Sequence, residues 1–343
     1  MTKVPVVNSQ QNPLMPTNPW KAERLIRSGK ATPFWKMGIF CIRLNYETPK
    51  NVQSIVVGID PGSKREAFTI KSCSSTYLNI QTNAIIGIKN KILSRKFARR
   101  CRRFRKTPYR ICRRNRKRSD NWIPPSIKAR WDFKINLVKK LKKIYPITNI
   151  IIEDVKAKSH KEEKNWNKSF SPLQTGKNYA YKQFRELGSF TLIYGFDTAK
   201  FRDKYGLTKI YEKLSDKFEA HCVDSWCIAN SIYEGKLDNK EILRAIPIMF
   251  YKRQLHVFNF VKGGRRKNFG GTRSLGFKRG SFIKHPKYGI AIIGGTRCGK
   301  LTLWCPKTKK RLTKVAKPED CKFLSYNNMW FINETNNKVG EMD

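Results

Sequence analysis

Apolar residues along this chain come in short runs, and two of those runs end on acids. Ser54–Asp60 is apolar through Ile55-Val-Val-Gly-Ile59 and stops at Asp60, and Asn149–Val155 carries Ile150-Ile-Ile152 into Glu153. An unbroken apolar run of this length, bounded by turn residues, reads as a strand buried on both faces. Ala67–Lys71 and Tyr77–Gln81 read as two further short strands joined by a polar turn, which puts Asp60 at the tip of the first strand of a meander.

Helical periods fill the intervals. Ser126 to about Lys143 follows Pro124-Pro125 and presents Trp131, Ile135, Val138 and Leu141 as an inward face, and Pro146 breaks it. Lys177–Leu187 reads as a helix, Phe190–Tyr194 as a strand, and Ser215–Tyr233 as a helix with Ser215 as its N-cap. Near the N-terminus, Asn12-Pro-Leu-Met-Pro16 reads as a turn, Trp20 to Gly29 as a short basic helix, and Ile39–Tyr46 as a strand. After Gly235 short apolar runs alternate with Gly and Lys clusters: Ser281–Ile283, Tyr288–Ile293, Leu301–Cys305 and Trp330–Ile332. That pattern predicts a small antiparallel barrel.

Charge changes this picture most. The chain of 343 residues has Lys+Arg 72 against Asp+Glu 25, a formal net charge of +47. Self-repulsion on that scale opposes a compact fold unless a polyanion screens it, and nucleic acid is the expected polyanion. An anionic membrane would call for a basic amphipathic helix or a lipidation signal, and neither is clear. Lys91 to Arg118 holds no acid at all. Leu93, Phe97, Cys101 and Phe104 recur within it at helical spacing, and Pro108 should end that helix near Arg105. Its internal position argues against a loose basic tail, and arginine forks suit paired contacts with phosphate.

Nine cysteines, an odd number without a C-x-x-C pair, point to a reducing compartment and away from a zinc site, with Cys222 and Cys227 packing as small hydrophobes. The N-terminus lacks an apolar leader and no run is long enough to span a bilayer, so the expected location is cytoplasmic or organellar, not secreted.

Asp60 and Glu153 can meet at one edge of a sheet, and strand alternation lets only one of Glu153 and Asp154 face that site, leaving the other as a solvated neighbour. His221 and Asp224 lie three apart on one helix and share a face, with Val223, Trp226 and Cys227 on another. Such a cluster suits a hard cation, Mg2+ or Mn2+, and two ions about 3.5–4 Å apart would suit in-line phosphodiester cleavage. Taken singly, each signal is weak: D-P-G is usually just a turn, and a lone helical His is usually packed or on the surface.

Taken together, Gly58-Ile-Asp-Pro-Gly-Ser63, Ile151-Ile-Glu153 and His221-Cys-Val-Asp224 resemble the three split motifs of RuvC-type nucleases, members of the ribonuclease H fold. Arg99-Arg-Cys-Arg-Arg103 resembles the bridge helix of RNA-guided nucleases, and Asn12-Pro-Leu-Met-Pro16 the PLMP segment of the IscB group. Ser171-Pro-Leu-Gln-Thr-Gly-Lys177 and Gly270–Gly280 add to the match. IscB proteins carry an HNH nuclease between the second and third motifs. Here that interval holds one histidine, His160, so the chain is similar to the HNH-less IsrB type.

The resemblance implies an α/β, ribonuclease H-like (RuvC) fold with this division: residues 1–52 a PLMP-like unit, 53–89 RuvC segment I, 90–120 the Arg-rich bridge, 121–160 segment II, 161–235 segment III, and 236–343 a β-rich region that holds guide RNA and reads a target-adjacent motif. It implies a monomeric nickase guided by a large structured omega RNA, cutting the displaced non-target strand of duplex DNA. Asp60, Glu153, Asp224 and His221 would be catalytic residues and metal ligands. Nucleic-acid contacts fall to Arg95, Arg99, Arg100, Arg102, Arg103, Arg105, Arg110, Arg113 and Arg114, then Arg273 and Lys278, with Arg265, Arg266 and Lys267 as further candidates. The competing expectations are a catalytically idle RNA-binding scaffold and a guide-independent junction nuclease. An actin-like ATPase would need further Gly-rich phosphate loops, and Gly294-Gly295 lies in the wrong region.

Overall fold

The computed structural model describes residues 3–49, 51–85, 88–106, 122–154, 172–212, 214–246, 273–306, 308, 310–326 and 330–333. The chain divides into two units, one of residues 1–245 with 333–343, the other of residues 246–332.

The first unit opens with β1 (Val4–Val7), β2 (Pro13–Thr17), α1 (Pro19–Arg27), β3 (Ala31–Lys36) and β4 (Ile39–Leu44), which form a four-stranded sheet in the order β2-β1-β4-β3. Val4, Val6, Leu14, Ala22, Ile42 and Leu44 form its own apolar cluster. Residues 13–16, expected as a turn, form β2 instead, since Leu14 is drawn into that cluster and the chain reverses before it, at Ser9 and Gln10. Helix α1 stops where expected, with Gly29 at φ +68°.

The central sheet follows. β5 (Ile55–Asp60), β6 (Arg65–Lys71) and β7 (Thr76–Asn83) make the antiparallel meander; α2 (Ile88–Lys106) and α3 (Pro125–Leu141) come next; then β8 (Ile147–Asp154), α4 (Pro172–Arg185), β9 (Ser189–Tyr194), α5 (Gly195–Lys204), α6 (Phe218–Asn230) and β10 (Ile242–Ile246). The strands run in the order β10-β7-β6-β5-β8-β9, with β8 parallel to β5, β9 parallel to β8 and β10 parallel to β7. β5 is thus central and buried from Ile55 to Ile59.

Period-2 alternation assigns the two faces. Ala67 packs with Phe218, Val223, Trp226 and Cys227 of α6, and Val56 and Ile151 with Ile228 and Ala229. On the other face Asp154 accepts from Lys177 and Tyr181 of α4, and Trp131 of α3 meets Tyr181 edge-on, the ring centroids 6.4 Å apart. The inward residues Trp131, Ile135, Val138 and Leu141 of α3 are buried as their spacing predicted. Gly176 in Ser171–Lys177 lets α4 approach α3, since a Cβ there would stand 2.4 Å from Ile127 Cγ2.

The start of α6 and the extent of the C-terminal β-rich region are corrected. Helix α6 begins at Phe218 with Lys217 as N-cap; Ser215 lies outside it, its carbonyl accepting from Gln81 Nε2 at 2.9 Å. The stripe Leu93, Phe97 and Cys101 of α2 is exposed. The interval 236–343 is not all one β-rich region, because β10 joins the central sheet.

The second unit contains the hairpin β11 (Arg273–Ser274) and β12 (Phe277–Lys278), then β13 (Phe282–His285), β14 (Gly289–Arg297), β15 (Lys300–Trp304), β16 (Arg311–Ala316) and β17 (Lys322–Ser325). The last five form an antiparallel sheet in the order β16-β15-β14-β13-β17, packed on Ile283, Ala291, Ile293, Leu301 and Leu303. Among the described residues no pairing joins β16 to β17, so the expected barrel is an open sheet. The strand β18 (Trp330–Asn333), expected in that barrel, is not among its five strands.

Candidate functional site

The site is built at one end of β5 and β8. Their register pairs Ile59 with Ile152, so Asp60 and Glu153 lie one position further on the neighbouring strands, on the α6 face. The turn after Asp60 depends on Gly62: its N–H donates to the Asp60 carbonyl at 3.1 Å, and a Cβ there would fall 1.7 Å from the Arg65 carbonyl oxygen. Gly58 opens the same face, because a Cβ would stand 2.3 Å from the Ser225 carbonyl oxygen and 2.6 Å from the Ala229 nitrogen. Helix α6 therefore lies directly on β5, and its polar residues reach the strand end.

His221 is among the few α6 residues not fully buried, and its Nδ1 stands 3.6 Å from Asp60 Oδ2. One turn on, Asp224 is buried. Its Oδ1 is paired with Arg202 of α5 and its Oδ2 with Lys209 Nζ at 2.5 Å. Burial, then the charges of Asp60 and Asp224, push the Glu153 carboxyl up to about 7, against the pull of Lys209; a hydrogen bond with Asp60 also favours its protonated form. Three carboxylates thus act on one another at the sheet edge. Gly195, the first residue of α5, makes room for Glu153, since a Cβ there would stand 3.0 Å from its Oε1.

All four expected site residues lie at this end of the sheet. Hard oxygen donors, among them a Glu153 carboxyl pushed up first by burial and then by two acidic neighbours, fit a divalent cation. As they lie, though, no three His, Cys, Asp or Glu side chains among the described residues are close enough to enclose an ion. Asp224 is instead satisfied by two cationic side chains.

Asp154 is corrected: it is not solvated but accepts from Lys177 Nζ and from the Tyr181 hydroxyl, each at 2.8 Å. The pairing with Asp224 makes Arg202 and Lys209 part of the site, and sequence reading missed both because two more cations in so basic a chain carry no signal. Also unforeseen was the buried pair Lys134–Glu66 at 2.5 Å, which joins α3 to β6 behind Asp60.

Of the expected nucleic-acid contacts, Arg95, Arg99 and Arg100 project from an exposed stretch of α2. Arg102, Arg103 and Arg105 belong to the same helix. Arg110, Arg113, Arg114, Arg265, Arg266 and Lys267, and with them His160, lie outside the described residues. In the second unit Arg273 is exposed and donates to the Gly276 carbonyl at 3.3 Å, and Lys278 Nζ stands 5.3 Å from the Tyr326 ring centre. No helix among the described residues is long and apolar enough to cross a membrane.

Residues 4–170 match the family described as RRXRR protein, a span that takes in Asp60, the Arg-rich helix and Glu153. The string Arg99-Arg-Cys-Arg-Arg103 fits that name. No curated protein matches the sequence significantly. Among solved structures, the chain is similar to T. thermophilus RuvC in complex with a Holliday junction substrate, at 9% identity and TM-score 0.29, over 52% of this chain and 90% of that one. It is also similar to the yeast mitochondrial Holliday junction resolvase Ydc2 at 14% identity and TM-score 0.26, over 53% and 78%. The first half of this mixed α/β chain is thus similar to the RRXRR family.

Proposed function

We propose that this chain is a metal-dependent DNA endonuclease of the RuvC kind, directed by a guide RNA and cutting one strand, as in the IsrB type. The observation that carries the reading is the meeting of Asp60, Glu153 and the His221/Asp224 helix at one sheet edge, with Glu153 pushed up to about 7 by burial and its acidic neighbours, in a chain of net charge +47. Acids gathered in so cationic a protein need a cation to hold and a polyanion to act on. The match to the RRXRR family, which is associated with IscB-type proteins, supports the same reading.

In this reading Asp60, Glu153 and Asp224 would hold Mg2+, and His221 is kept for proton transfer. Bound there, the ion supplies an activated water and neutralises charge on the leaving oxygen. The chain's own residues do the rest. His221 Nδ1, already 3.6 Å from Asp60, is placed to take a proton from the attacking water. Arg202 and Lys209 pair with Asp224, and a bound ion would share that carboxylate with them. Helix α2, exposed through Leu93–Cys101, lies along a nucleic-acid backbone, its arginines on phosphates. Target choice comes from guide pairing.

The test is a nicking assay with guide RNA, a supercoiled target and Mg2+. Asp60→Ala should abolish nicking, by at least about a hundredfold, and leave guide and target binding intact. Undiminished nicking by that variant would overturn the assignment.

A further inference from the structure

Two exposed aromatic rings where β9 passes into α5 have no role in the reading above. β9 ends at Tyr194, which pairs with Asp154 of β8, and α5 starts at Gly195, the residue that backs onto Glu153. Tyr194 and Phe196 flank that glycine. Their planes lie 9° apart with centroids at 6.1 Å, and they are 38% and 60% exposed. The other aromatics of this stretch behave differently: Phe201 and Tyr205 pack inward against the α6 cluster. Lys200, exposed on the next turn, holds its Nζ 5.2 Å from the Phe196 ring centre. Arg202 and Lys209 lie just inside, on Asp224.

A phenyl ring left in water costs free energy unless something flat covers it. Parallel aromatic faces bordered by cations match a nucleobase with its phosphate, because every base offers a π-face whatever the sequence. We infer that Tyr194 and Phe196 form a stacking ledge for a base of single-stranded DNA at the end of the sheet that carries Glu153, on the side of its neighbour Asp154, with Lys200 meeting the adjoining phosphate. The inference rests on the nuclease reading for its place in the reaction, though not for the binding itself. It would make the ledge a positioning device: a strand whose bases are unpaired can stack there, and a duplex cannot.

The test measures binding directly. The full chain is titrated with a short single-stranded DNA carrying 2-aminopurine, in EDTA, and quenching of the probe is followed. The wild type should quench; Phe196→Ala should weaken binding by roughly five- to a hundredfold and remove the quench, Tyr194→Ala should do so in part, and Phe196→Trp should restore both. Circular dichroism of each variant checks that it is folded. Unchanged affinity and quench in Phe196→Ala overturns the ledge, as does a quench given by the same sequence as RNA and not by DNA. A ledge that quenches while no Asp60-dependent nicking is found keeps this inference and removes the nuclease reading. Asp60-dependent nicking with quench and cut positions unaltered in Phe196→Ala does the reverse.

Discussion

Gly58 faces the backbone of the helix that carries His221 and Asp224 at a distance no side chain tolerates. Its role is contact, so Gly58→Ala should cost about 1–3 kcal/mol in chemical denaturation by overpacking, and, in the proposed nuclease, it should also weaken Mg2+ binding by lifting α6 off β5. Glu153 carries a different constraint. In the folded state its carboxyl is raised from 4.5 to about 7, so between those values the folded chain keeps a proton that the unfolded chain has lost. In EDTA, stability should therefore fall as pH rises from about 4.5 to 7. Glu153→Gln should flatten that fall and raise the melting temperature above pH 7. A melting series across this range checks it, and an unaltered slope in the variant would show that Glu153 is not the titrating group.

At the scale of elements, buried ionic clasps hold the layers around the sheet. Lys134 of α3 reaches Glu66 of β6 inside the core, where burial pushes the Glu66 carboxyl up. Lys71 of β6 reaches the last turn of α6, donating to Asn230 Oδ1 and to the Tyr233 carbonyl. A cation at that end also meets the negative pole of the helix. Breaking one partner of a buried pair leaves the other uncompensated, so Lys134→Met should cost roughly 3–5 kcal/mol in urea unfolding. Adding Glu66→Leu to it should restore most of the loss, since an apolar pair of similar volume needs no partner. Failure of the second change to rescue would mean that the pair also shapes the site it backs.

The whole molecule is governed by its net charge of +47. Helix α2 is the clearest case: Leu93 and Phe97 are 38% and 57% exposed in a stretch rich in Lys and Arg and without acids. Nucleic-acid binding should weaken steeply with salt as counterions leave the phosphates. Replacing Arg95, Arg99 and Arg100 with Ala should reduce the slope of log affinity against log salt by about 2–3, at roughly 0.9 per lost phosphate contact. A slope unchanged by the triple variant would place the contacts elsewhere.

How far the primary structure reaches depends on whether a feature is local. The buried strands around Asp60 and Glu153, the inward face of α3 and the stop of α1 at Gly29 were all legible, because apolar period and glycine act over a few residues. The His221/Asp224 spacing likewise announced a shared face. Other features depend on neighbours far along the chain. β10 returns to the central sheet, Pro13–Thr17 is drawn into a strand by Leu14, and among the described residues the C-terminal strands form an open sheet. Asp154 is held by α4, and Arg202 and Lys209 converge on Asp224 from outside α6. Charge partners and sheet neighbours are chosen by three-dimensional proximity, and a sequence pattern with a period of two or of 3.6 residues carries no information about which distant residue arrives.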